Sequence, residues 1–126
     1  MNNQMRVRGI RGAISSSDNN SDAIKKATTQ MLKAIVQENR VEVDDIASAF
    51  FTVTKDLDAQ FPAQAAREMG WTYVPMMCAT EIEVPGSQPG LVRVMLHVNT
   101  YKAQNEIKHV YLGEAVKLRP DLVKND

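Results

Sequence analysis

The apolar positions of this chain change period along its length, and each change marks an element. From Arg6 to Ser15 apolar and polar residues alternate around two glycines, which predicts a strand whose backbone is approached closely by another element. After the polar loop SSSDNNS, Ile24, Ala27, Met31, Leu32 and Ile35 recur at threes and fours. That stripe predicts a helix capped by Ser21 or Asp22 and ending near Asn39, with one face laid on a sheet. Asp44 and Asp45 open a turn into ASAFFTVT, whose β-branched and aromatic residues predict a second strand. A shorter helix is expected over 59–69, with Pro62 in its first turn and Gly70 at the left-handed stop, so that Gln64 and Arg67 share a side. WTYVPMMCATEIEV reads as an extended segment broken by Pro75, PGSQPG as a reversal and LVRVMLHVN as the returning strand. In that strand Val92, Val94, Leu96 and Val98 share one face and Arg93, Met95, His97 and Asn99 the other. IKHVYL predicts a last strand before the tail KLRPDL.

The order strand, helix, strand, helix, strands implies an α+β chain with one mixed sheet of about five strands and two main helices on one face. The 126 residues suit a single domain over 1–126, with 1–5 disordered and 118–126 a mobile tail. Fifteen basic and fifteen acidic side chains leave no net charge, so no global field draws the chain to nucleic acid or to an anionic membrane. No apolar run approaches the ~20 residues that cross a bilayer. A lone cysteine, Cys78, and a polar N-terminus without an apolar leader point to a cytoplasmic setting.

Against that neutral background two arginines stand out, Arg11 in VRGIRGA and Arg93 inside the apolar run LVRVMLHV. Arginine keeps its proton and prefers planar contact with carboxylate, so a strand that carries one inward is meeting an anion. The half-polar face on which Arg93 lies also suits completion by symmetric copies of the chain. The plainer readings are an interface ion pair of Arg93 with Glu81, a half-buried strand tyrosine at Tyr111 and a surface charge at Arg67. Cys78 reads as a small buried hydrophobe, because no histidine lies near it in sequence. His97 and His109 have no metal-ligand spacing and read as structural, and the methionines read as core filler.

Six segments, VRGIRGA, FPAQAARE, GWTYVPMMCATEI, VRVML, HVYL and LRPDL, occur here in the order found in the monofunctional trimeric chorismate mutases of the α/β class, which the chain resembles from about Arg6 to Leu122. The resemblance implies a homotrimer closed into a pseudo-α/β-barrel, with active sites between subunits. It implies no cofactor, no metal, and chorismate as substrate, rearranged to prephenate on the route to phenylalanine and tyrosine. Matched residue by residue, Arg93 is the donor to the ether oxygen. Arg11 and Tyr111 match positions that hold the enolpyruvyl carboxylate, and Glu81, with Cys78 beside it, matches the acceptor for the ring hydroxyl. Phe61, Ala63, Met76 and Met77 would line the pocket, Arg67 and Arg119 would attract the second carboxylate at its mouth, and Leu118 would pack beside the ligand. Gln64 departs from the pattern, standing where some members carry lysine.

Two other classes fit the residues less well. A different enzyme on a similar trimeric scaffold, such as an imine deaminase, needs an activated water and motifs absent here. A non-catalytic trimeric module that binds a small dicarboxylate would use the same arginines, but it would tolerate lysine at position 93. The tail carries a prediction: truncation after Lys117 should lower kcat/KM for chorismate, and an unchanged ratio would remove the tail from the site.

Overall fold

A computed structural model describes residues 4–118. Its five strands form one sheet in the order β3, β2, β4, β1, β5, with β1 Arg6–Ser15, β2 Ile46–Val53, β3 Met76–Thr80, β4 Leu91–Thr100 and β5 Val110–Leu112. β4 is antiparallel to both its neighbours, while the outer pairs β1 with β5 and β2 with β3 are parallel. The sheet is thus mixed, as its pattern implies. PGSQPG reverses the chain but closes no hairpin, because β2 lies between β3 and β4.

Helix α1, Ser21–Asn39, buries Ile24, Ala27, Met31, Leu32 and Ile35 against the sheet. Its cap is Asn20, one or two residues before the expected Ser21 or Asp22. The Asn20 side chain accepts from the Ala23 amide, whereas Ser21 accepts from the Gln60 amide group. Gly12 lets α1 settle close to β1: a Cβ there would stand 2.5 Å from Cδ1 of Ile35. The far end of α1 is fastened by buried Asn39. Its amide group donates to the carbonyls of Ile35 and Lys108, its side-chain oxygen accepts from the Lys108 amide, and the Lys102 ammonium donates to its carbonyl.

Helix α2, Ala63–Glu68, is shorter than the expected 59–69. Asn19 accepts from the amides of Asp58 and Ala59 and so holds that stretch as loop, and Pro62 then leads into the helix. Gly70, at φ 92°, ends it as anticipated. The segment before Pro75 turns instead of extending, because Trp71 and Val74 both enter the core and a spacing of three cannot do so from a strand. β5 keeps only three of the residues expected of the last strand, since Asn39 holds Lys108 just upstream of it.

Both helices lie on one face of the sheet with the main core, where Val92, Val94, Leu96 and Val98 of β4 meet Ile10, Ile14 and Phe51. Val7, Phe50 and Met77 project from the opposite face and are exposed. Among the described residues no helix is long and apolar enough to cross a membrane. Gly12→Ala should cost about 1–3 kcal/mol of unfolding free energy by overpacking against Ile35, a loss that urea denaturation would read directly.

Candidate active site

Strand register sets the chemistry of the open face. Thr52, Arg93, Ala13 and Tyr111 stand abreast on β2, β4, β1 and β5. Arg93 and Tyr111 are two strand spacings apart, about 10 Å, with only the alanine methyl between them, which leaves a notch. Arg11 lies one row along the same face, beside Met95. Glu81 follows β3 directly, where its amide donates to the Val53 carbonyl at 2.8 Å and brings the carboxylate round to Thr52 and Arg93.

The Arg93 guanidinium approaches Glu81 at 3.6 Å (Nη1 to Oε1), and each side chain keeps about 30 % exposure (30 % and 29 %). Arg93 Nε and the Tyr111 hydroxyl are buried without a hydrogen-bond partner among the described residues. A buried donor left in this state costs roughly 1–3 kcal/mol, and both stand on the one row that crosses β4, β1 and β5. Tyr111 packs with Ala13, Leu91, Ala115 and Leu118, and the last of these ends the described chain on a 3-10 turn, Gly113–Leu118. Arg119 lies outside the described residues. The Arg11 amide donates to Nδ1 of His109, which ties β1 to the approach of β5.

Other predicted site residues gather elsewhere. Cys78 is not beside Glu81 on this face. It pairs with Phe51, packs against the helix-side core, and lines a cavity of about 310 Å³ with Phe61, Pro62 and Leu57. The register of β3 explains this, because Ala79, next to Cys78, is the residue abreast of Thr52. Ala63 is packed into the core at 2 % exposure, and Met76 also packs on the core. Met77 projects from the open face beside Phe50, and Phe61 is 68 % exposed.

On α2 the Gln64 amide donates to Glu68, which also pairs with Lys25, while the Gln64 oxygen accepts from Arg67 at 3.3 Å. The Gln64 hydrogen bond and the Lys25 ammonium hold the Glu68 carboxyl below its ordinary range. The open-face patch of Arg11, Arg93, Glu81 and Tyr111 is thus separate from a second patch, Phe61 with Cys78 at the cavity, while Gln64 and Arg67 lie on α2.

Ser48 and Nδ1 of His97 also meet, at 3.0 Å, a hydroxyl and imidazole pair that the sequence did not announce. It lies four residues along β4 from Arg93, about 13 Å, outside the notch. Among the described residues no group of histidine, cysteine, aspartate and glutamate could hold a metal ion.

The family model for chorismate mutase type I matches residues 7–122. The chain belongs to this family. It is 46 % identical over 117 residues to chorismate mutase AroH of Thermus thermophilus, covering 92 % of this chain and 96 % of the relative. Against chorismate mutase AroH of Bacillus subtilis (strain 168) the identity is 43 % over 119 residues, covering 94 % of each. The solved chorismate mutase of Clostridium thermocellum superposes with a TM-score of 0.84 at 56 % identity, covering 85 % of this chain and 96 % of that one. The chain is accordingly an enzyme of the chorismate mutase type.

The notch gives a prediction that separates stability from function. Tyr111→Phe removes an unpartnered buried hydroxyl, so thermal unfolding should show stability unchanged or raised by up to about 1 kcal/mol. Steady-state kinetics should show a higher KM for chorismate.

Proposed function

We propose that the Arg93 notch is where the chain rearranges chorismate to prephenate. The observation that carries the reading is the buried, unpartnered Nε of Arg93 beside Glu81 and across from the unpartnered Tyr111 hydroxyl. Chorismate is a dianion, and in its Claisen rearrangement the C–O bond breaks as a C–C bond forms, with no proton transferred and no covalent intermediate. The protein must hold the chair-like conformer and place positive charge where the ether oxygen becomes negative. Even the low end of enzymatic acceleration is ~8 kcal/mol, and one well-aimed donor supplies ~3 to 4 of it.

Arg93 is that donor, its Nε and Nη directed at the ether oxygen. The Arg11 guanidinium and the Tyr111 hydroxyl take the enolpyruvyl carboxylate, and Glu81 accepts from the ring hydroxyl. Two cations against one carboxylate leave this patch with a surplus of positive charge for a dianion. Phe61 and Cys78 supply the apolar wall, while Arg67 and Arg119 attract the ring carboxylate from the mouth. Gln64, in place of a lysine, spends its amide on Glu68 and its oxygen on Arg67, so it steadies Arg67 without adding charge.

The patches complete one another across a subunit boundary. Cys78 and Phe61 lie toward the helix side of the sheet and Arg93 on the open face, so a neighbour's Phe61 patch closing over Arg93 gives one whole site. Three copies arranged head to tail close such contacts into a ring and cover the exposed Val7, Phe50 and Met77. The enzyme works as this homotrimer, without cofactor, in the cytoplasm.

Arg93→Ala should lower kcat by about 10²–10³ while chorismate or a transition-state analogue still binds, and Arg93→Lys should recover little. Absence of conversion by a folded, assembled wild-type protein would leave a dicarboxylate-binding module as the reading. The boundary has its own test in co-expression of Arg93→Ala with Phe61→Ala, each weak alone. If the patches come from different subunits, random assembly restores about a quarter of the sites; if one subunit holds both, mixing restores none.

A further inference from the structure

Glu81 and Arg93 are near enough to collapse into a tight ion pair, yet their closest approach is 3.6 Å, beyond the 2.7–3.2 Å of a good hydrogen bond. The same oxygen, Oε1, accepts from the Thr52 hydroxyl at 2.7 Å. Thr52 is abreast of Arg93 in the register of β2 and β4, and its neighbour Val53 accepts the Glu81 amide. Glu81 is therefore fastened twice to the end of β2, through its backbone and through its carboxylate. A threonine in a strand is stiff at χ1, so this hydroxyl is a fixed point.

We infer that Thr52 is a positioning residue for the reaction: its hydroxyl holds the Glu81 carboxylate off Arg93 and keeps the guanidinium open to substrate. The inference rests on the reading of the Arg93 notch given above. Oε1 is committed to Thr52, which leaves Oε2 without a partner among the described residues and free to accept from a ring hydroxyl. Arg93 Nε remains unpaired for the ether oxygen. Without the hydroxyl, the carboxylate gains more by closing on the guanidinium in a two-bond fork than by standing apart. Such a fork would take from the ligand both the acceptor and the donor that it needs.

The test compares Thr52→Val, which keeps the branching and shape but lacks the hydroxyl, with Thr52→Ser, which keeps the hydroxyl. The readouts are chorismate kcat and KM, thermal unfolding, and the same valine change made in a Glu81→Gln background. Thr52→Val should lose roughly tenfold in kcat/KM, about the worth of one hydrogen bond to a charged group, with Tm little changed. Thr52→Ser should recover most of the loss, and in Glu81→Gln the valine change should cost less than twofold. An active wild type with an equally active Thr52→Val overturns the inference alone, as does a valine effect that is undiminished in Glu81→Gln. A wild type that folds and assembles but converts no chorismate overturns the reading of the notch and the inference with it.

Discussion

Burial of Val92, Val94, Leu96 and Val98 beneath the helices determines which way Arg93 points. β4 lies at the centre of the sheet, bonded on both sides, and its apolar residues fall on alternate positions. A slip of one residue would put four aliphatic side chains in water and an arginine in the core, so register here is strongly specified. The neighbours then follow. β1 brings Ala13 and Arg11 beside β4, β2 brings Thr52, and β5 adds Tyr111 through its pairing with β1. An ionic site is thus fixed by the hydrophobic demand of the face opposite.

The parts legible in the sequence are those set by local period. The apolar stripe of α1, the alternation of β4 and the Gly70 stop could be read directly, and so could Arg11 and Arg93 as charges misplaced among apolar neighbours. Cys78 and Glu81 are three apart in sequence and read as companions, but the pairing of β3 with β2 sends them to different sides, and pairing is a tertiary fact. Thr52 was invisible as chemistry because a threonine in FFTVT is explained by strand propensity alone; only the approach of Glu81 gives its hydroxyl a task. The contraction of α2 arises likewise from a distant residue, Asn19, which binds the backbone where the helix was expected to begin.

The notch is held together less well than it could be. Arg93 Nε and the Tyr111 hydroxyl forgo hydrogen bonds, and Glu81 stops short of closing on its cation. The surrounding structure offsets this: the small packed cluster beneath Tyr111 keeps its ring in place, and hydrogen bonds secure the end of the loop that follows Glu81. In the loop after β2 burial pushes the Asp56 carboxyl up, but hydrogen bonds from the Thr54 hydroxyl and the Gly90 amide outweigh it and bring the carboxyl below its ordinary range. Thr54 also accepts from the Leu91 amide, so the start of β4 is pinned two residues before Arg93. Rigidity around unsatisfied donors is what pre-organisation for an anion requires.

The fastening of Asn39 to Lys108 gives α1 a second office. One end of that helix is fixed at Asn20 and the other to the backbone three residues before Tyr111, while Gly12 fixes its height above the sheet. Nineteen residues at the usual rise make a rod of about 28 Å. The helix is therefore a ruler: a residue gained or lost within it would rotate Asn39 by about 100° away from Lys108 and draw β5 out of line with β1. A change of length in α1 is therefore felt at the notch.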